Sequence, residues 1–302
     1  MRGVSQYLYG RQYQVSLQPP GGNSLTFGNI GGEQTALRVA FDFEKKAASA
    51  PNKGNVAIFN LNQKTRAAIA QGWYVQVRAG YVGLVETIFV GRVGIVNHQR
   101  QGPDIVTSMN CIEGFGALMQ TTFSRAYPKK TALYLILQDI ARTMATPINV
   151  VRNLPRHIYD GGISLNGTCR DALDTLLRPL QVDAYISNGK LNILPQALPF
   201  GNKAIVLSQD RGMLGNPTVD KRSLSVDALL IPALCAPGQL VQIRTQSALQ
   251  NGFYKIREAK IEGDSHDQKW GVSLTCARLA DYNVTALSAV GLNFGAATQG
   301  LL

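Results

Sequence analysis

Apolar and polar residues alternate along several short runs of the chain. In 37–43, Leu37, Val39, Phe41 and Phe43 fall on one side and Arg38 and Asp42 on the other, the two-residue period of a half-buried strand. Residues 13–17 and 55–61 also read as strands, and Pro19-Pro20-Gly21-Gly22-Asn23 breaks the chain after the first. Residues 88–93 and 105–111 predict two more, with a polar turn region between them. A short helix is expected over 63–71, ending at Gly72. The period then changes. Leu133, Ile136, Leu137, Ile140 and Met144 recur at helical spacing, which predicts a helix over 131–144 that stops before Pro147. A second helix is predicted from Thr168, where Thr168 and Asp171 resemble a capping box, through Leu173, Leu176 and Leu177 to Pro179. Residues 182–186 and 191–194 flank Ser187-Asn188-Gly189-Lys190, a β-hairpin whose Asn-Gly pair favours a type I′ turn. Residues 197 to about 279 return to β patterning.

One stretch of strand language occurs twice. Residues 72–78 read GWYVQVR and residues 238–244 read GQLVQIR, 166 positions apart. Each copy is followed by a strand-like run, a polar region and a second strand ending in cysteine. Gly72 to Cys111 spans 39 positions and Gly238 to Cys276 spans 38. The preserved spacing implies one β module used twice, on either side of a small α/β segment. Within the copies, Val75, Val77, Val241 and Ile243 are expected to point into the core, leaving Gln76, Arg78, Gln242 and Arg244 outside.

Composition narrows the class. The 302 residues are 45% hydrophobic and only 16% charged, which places the chain among folded proteins and leaves room for two or three domains. The formal net charge is +11, a balance that admits nucleic acid, an anionic surface or an acidic protein as partner. The basic residues form only the adjacent pairs Lys45-Lys46, Lys129-Lys130 and Lys221-Arg222, without aromatic interleaving, which argues against a nucleic-acid-binding module. The four cysteines, Cys111, Cys169, Cys235 and Cys276, form no C-x-x-C pair, so a zinc site is not expected. The first residues lack the apolar core of a signal peptide, which predicts a cytoplasmic product with reduced thiols, and no apolar run is long enough to span a membrane. Residues 282–302 contain no charged residue, a composition open both to disorder and to packing on a partner.

Candidate chemistry is thin. The sequence contains no P-loop, G-x-S-x-G, H-E-x-x-H or G-x-G-x-x-G pattern. The three histidines, His98, His157 and His266, each fall in an expected turn or loop and supply too little material for a triad or a multi-histidine metal centre. The best cluster is Glu258, Glu262, Asp264, His266 and Asp267, with Lys260 between the two glutamates on one strand face. Its oxygens would suit a hard cation such as calcium, but a solvated, salt-bridged hairpin tip accounts for the same residues. No catalytic, cofactor-binding or metal-binding residue is assigned.

From Gln209-Asp210-Arg211-Gly212-Met213-Leu214-Gly215-Asn216-Pro217 onward the sequence resembles a known family. Residues 229–238 (LLIPALCAPG), 252–257 (GFYKIR) and 270–276 (WGVSLTC) continue the likeness, which covers about eighty residues and, in layout only, the earlier part of the chain. These motifs resemble the C-terminal half of baseplate hub proteins of contractile-tailed bacteriophages, an architecture shared with the spike bases of type VI secretion systems and with phage-derived bacteriocin tails. The motifs are structural and carry no catalytic signature.

The resemblance implies a mainly β chain with two tube-like β-barrel domains, 1–118 and 197–281, joined by a small α/β domain, 119–196, and followed by the uncharged tail 282–302. It implies a homotrimeric ring of six barrels that matches the sixfold tail tube on one face and the threefold central spike on the other, among other baseplate proteins. DNA would pass through the lumen only as cargo. The product would reside in the virion after assembly in the host cytoplasm, with no enzymatic activity and no cofactor. A different class, a cell-wall hydrolase with a scattered carboxylate pair, would rest on Glu258 and Glu262.

Overall fold

A computed structural model describes residues 10–30, 36–150, 154–220 and 223–279. The first part of the chain forms β1 (Arg11–Gln18), β2 (Leu25–Gly28), β3 (Val39–Lys46), β4 (Asn52–Phe59), helix α1 (Gln63–Ala68), β5 (Tyr74–Tyr81), β6 (Leu84–Gln101) and β7 (Asp104–Glu113). The middle forms β8 (Thr122–Tyr127), β9 (Thr131–Ala132), α2 (Leu133–Thr143), β10 (Ile148–Val150), β11 (Ile158–Tyr159), β12 (Ile163–Thr168), α3 (Cys169–Leu177), β13 (Val182–Ser187) and β14 (Lys190–Pro195). The last part forms β15 (Phe200–Leu207), β16 (Met213–Asp220), β17 (Ser223–Leu229), β18 (Gln239–Ile243), β19 (Gly252–Asp264) and β20 (Trp270–Arg278). The fold is mainly β, as the alternation predicts. The uncharged tail 282–302 and the Lys221-Arg222 pair lie outside the described residues.

Hydrogen bonding reveals the same unit twice. The first part pairs in the order β3-β4-β7-β6-β5-β1-β2, and the last in the order β16-β17-β20-β19-β18-β15. Laid side by side, β16, β17, β20, β19, β18 and β15 take the places of β3, β4, β7, β6, β5 and β1. The repeat extends to fine detail. Gly72 donates its N–H to Val93 O at 2.7 Å, and Gly238 donates to Ile256 O at 2.7 Å. These glycines have φ of +88° and +89°, a region other residues enter only with strain. A register shift interrupts the β6–β7 ladder between Val93 and Val96, and one interrupts β19–β20 between Ile256 and Glu258, at the corresponding place. The units differ at one edge, because β1 joins β5 antiparallel whereas β15 joins β18 parallel.

The two units are fused through β19. Its first residues, Gly252 to Lys255, pair with β18, and its continuation, Glu258 to Asp264, pairs antiparallel with β3. The result is one 13-stranded sheet. The expected closed barrels are not found: among the described residues the strand path runs open from β16 to β2. The edge of β3 that closure of the first unit would need is bonded to β19 instead.

Burial follows the period of two. Val75, Val77, Val241 and Ile243 are fully buried, while Gln76 and Gln242 are half-buried and Arg244 exposed. One hydrophobic cluster runs through both β units, from Tyr13 and Val15 to Leu274 and Cys276. One aromatic contact bridges the junction, Phe41 of β3 meeting Trp270 of β20 edge-on at 5.6 Å, while Phe43 stacks on Phe89 of β6 at 4.2 Å between centroids within the first unit.

The middle segment has its own cluster, built from Leu133, Ile136, Leu137 and Ile140 of α2, Leu173, Leu176 and Leu177 of α3, and Ile186, Leu191 and Ile193 of the β13–β14 hairpin. The hairpin turn carries φ of 52° at Asn188 and 73° at Gly189, the positive pair expected of Asn-Gly. Thr168 caps α3 with the reciprocal bonds of a capping box.

Three local expectations are corrected. Helix α1 stops at Ala68 rather than near 71, because Ile69 turns to extended backbone and buries its side chain in the sheet core. Thr131 and Ala132 precede α2 as a short strand paired with β11. The polar region after Val93 is strand rather than turn: β6 runs to Gln101, and the reversal occupies only residues 102–103, with Gly102 at φ +60°. His98 therefore lies in β6, bonded through Nδ1 to Thr107 Oγ1 at 3.1 Å.

Candidate assembly interface

The β3–β19 junction displays how one β unit receives another. Seven residue pairs, from Glu258–Lys46 to Asp264–Ala40, are in antiparallel register. On the inward face, Phe43 lies opposite Ile261 and both are buried. On the outward face charges meet: Lys46 Nζ is 3.6 Å from Glu258, and Glu44 stands opposite Lys260. The Lys46 ammonium, hydrogen-bonded to Glu44, holds that carboxyl below its ordinary value. Asp42 faces Glu262, a like-charge pair that works against the junction. At the far end Arg38 binds Asp264 through two nitrogens, with the shortest contact at 2.8 Å. Burial opposes ionisation of Asp264, but Arg38 and the His266 N–H overcome it and lower its pKa.

The β13–β14 hairpin docks across both β units through buried charges. Lys45 is fully buried and donates to Ile88 O at 3.0 Å and to Asn188 Oδ1 at 2.7 Å. Glu113, also buried, accepts from Asn52 Nδ2 at 2.7 Å and from Gly189 N at 3.1 Å. Burial pushes the Lys45 pKa down and the Glu113 pKa up, and their mutual attraction works against both shifts. On the other unit, Lys255 donates to Pro195 O at 3.1 Å and to Gln196 O at 3.2 Å. Asp183 lies 3.5 Å from both Lys255 and Arg257. Burial lowers the Lys255 pKa to about 8. Tyr185 completes the dock by donating to Pro237 O at 2.8 Å, just before Gly238.

The acidic cluster Glu258, Glu262, Asp264, His266 and Asp267 is dispersed into these contacts. Glu258 sits between Lys46 and Lys260, at 3.6 and 3.8 Å. Asp264 is held by Arg38, Arg11 reaches the backbone oxygens of Asp264, Asp267 and Gln268, and His266 contacts Ser265. Among the described residues no group of three or more metal-type side chains comes together. Glu258 and Glu262 share the outward sheet face as the period of two requires, where both belong to the junction. The four cysteines are unpaired and buried, and burial pushes Cys111, Cys235 and Cys276 up to about 12, which leaves them poor nucleophiles. No described helix is long and apolar enough to cross a membrane.

A family model described as baseplate hub gp41 matches residues 25–276. The chain belongs to the baseplate hub gp41 family. The resemblance to baseplate hub proteins read from 209–276 is thereby borne out, and the chain is a hub-family protein of a phage tail. Solved structures share the hub fold at low identity. The tail protein from Neisseria meningitidis MC58 aligns with a TM-score of 0.61 at 11% identity, covering 89% of this chain and 97% of its own. The 43 kDa tail protein of prophage MuSo2 from Shewanella oneidensis aligns at 0.62 and 11%, covering 89% and 99%. The E. coli c3393 protein, described as a type VI secretion component similar to T4 tail proteins gp27 and gp5, aligns at 0.57 and 11%, covering 83% and 76%. No curated protein matches the sequence.

Proposed function

We propose that this hub-family chain forms a trimeric ring in which six β units, two from each protomer, make a pseudo-sixfold collar. The collar receives the sixfold tail tube on one face and the threefold central spike on the other, within the baseplate of a contractile phage tail. The observation that carries this reading is the repeated strand order joined head to tail: β3, an edge strand of one unit, bonds to β19, an interior strand of the other. A contact between unlike surfaces propagates from unit to unit and closes when its rotation divides the circle. Two near-equivalent units per chain reconcile a sixfold neighbour with a threefold one. The divisions at about 118 and 196 fit the two hydrophobic clusters, one spanning both β units and one confined to the middle segment.

In this reading the protein acts through assembly rather than catalysis, uses no cofactor, and lets DNA pass as cargo. The virion baseplate is its destination, after assembly in the host cytoplasm. Electron microscopy of the purified protein mixed with its tube and spike partners tests the proposal. Rings with six peripheral densities and true threefold symmetry are expected between tube and spike. Particles in which the hub sits outside the tail axis would overturn it.

A further inference from the structure

Among the described residues, each surface that meets at the β3–β19 junction has a counterpart with no strand paired to it. By the strand correspondence, β16 takes the place of β3, and the second half of β6 takes the place of the second half of β19. The pairing partners fix the equivalence by residue. Asp42 pairs with Asn55, and Thr218 pairs with Ser225, at matching places in their units, so Thr218, Val219 and Asp220 stand where Asp42, Phe43 and Glu44 stand. Lys260, Ile261 and Glu262 pair with Ser273, Val272 and Gly271, and Asn97, His98 and Gln99 pair with Ser108, Thr107 and Val106. Asn97, His98 and Gln99 are therefore the counterparts of Lys260, Ile261 and Glu262.

Burial shows which member of each pair is occupied. Phe43 and Ile261 are 2% and 0% exposed at the junction. Val219 is 54% exposed, and residues 97–101 of β6 are all exposed. Ile95, beside the β6 register shift, is 67% exposed, and Leu214 of β16 is 46% exposed. Among the described residues both sheet edges lack a strand partner, and their exposed apolar residues are of a kind that folded proteins ordinarily cover.

We infer that β16 of one protomer pairs antiparallel with residues 97–99 of β6 in the next, repeating between chains the β3–β19 junction found within the chain. The register places Thr218 opposite Gln99, Val219 opposite His98 and Asp220 opposite Asn97. Beyond the β16 irregularity, Leu214 faces Gln101. The occupant is a second copy of this chain, because the partner surface each edge needs is the one that its counterpart already meets. The contact is shorter than its template, three residues in continuous register against seven, so assembly is more sensitive to single changes there than folding is. This inference rests on the ring reading and adds to it the strands and the register that close the ring.

Paired cysteines test it. Opposed residues of antiparallel strands have Cα atoms about 4.5–5.5 Å apart, within the reach of a disulfide. The double variant Thr218→Cys with Gln99→Cys is expected to yield covalent dimers and closed trimers on mild oxidation, whereas the single variants and the off-register pair Thr218→Cys with Arg100→Cys yield none. Val219→Lys, at an exposed edge position, should raise the concentration for half-assembly at least about tenfold while leaving the circular dichroism spectrum unchanged. A wild-type trimer that shows no cross-link in the paired variant would overturn the strand pairing and leave the ring reading standing. A chain that stays monomeric at every concentration, even with tube and spike present, would overturn both.

Discussion

Two glycines that look interchangeable in the sequence differ in what surrounds them. Gly72 and Gly238 share the same positive φ and the same hydrogen bond to the next strand. A Cβ on Gly72 would meet nothing within 4 Å, but one on Gly238 would lie 2.4 Å from Tyr185 Oη and 2.7 Å from a Phe200 ring carbon. Alanine at either position carries the backbone strain, about 1–2 kcal/mol. Only Gly238→Ala adds overpacking, about 1–3 kcal/mol more, and pushes the middle segment off its dock. Denaturant midpoints of the two variants should therefore separate, with Gly238→Ala the less stable. Equal midpoints would show that the middle segment does not press on this turn.

The hairpin β13–β14 is an element held by charges that the solvent does not reach, and this has a signature in pH. Lys255 has an ordinary pKa of 10.5 and is lowered to about 8 in the fold, chiefly by burial. Between those values the unfolded chain holds the proton that the folded chain has released, so folding becomes more favourable as pH rises through that window. Below pH 8 both states are protonated and the burial penalty is present in full. Lys255→Met removes the ionisation and leaves Arg257 beside Asp183. The stability difference between wild type and variant, from denaturant titrations at pH 7.5 and pH 10, should shift in favour of wild type by at most about 3 kcal/mol. A difference that is flat with pH would mean that Lys255 is not desolvated as the structure shows.

Much of this element level is legible in the sequence. The capping box at Thr168, the Asn188-Gly189 turn and the inward valines of both repeats follow from local chemistry alone, and they hold in the fold. The dock was visible only as an anomaly: Lys45 falls on the same parity as Val39, Phe41 and Phe43, an inward position for a charged residue. Its partners Asn188 and Glu113 lie far along the chain, so no local pattern could supply them. In sequence the second half of β6 reads as a turn, because Asn97, His98, Gln99, Arg100 and Gln101 have no apolar face. They form a strand through pairing with β7, which periodicity cannot report. The counterpart stretch in β19 alternates openly, since β3 covers it.

At the scale of the whole molecule, one chain contains both the repeated part and a worked example of how the parts join. Among the described residues the sheet remains open, and in the proposed ring the β3–β19 junction would be the step repeated from one unit to the next. The matching GWYVQVR and GQLVQIR stretches mark the duplication in sequence, but the junction itself links β3 of the first unit to β19 of the second and has no sequence signature. Family membership makes this a baseplate hub protein, and in the ring we propose, two units of like strand order per chain would let three chains present six contacts. The most direct test is the native mass of the purified chain, measured by native mass spectrometry over a range of concentrations. Three chains of 32.7 kDa, about 98 kDa, with no larger closed species, is the result the account predicts. A six-chain ring, or a monomer that persists at high concentration with tube and spike proteins added, would contradict it.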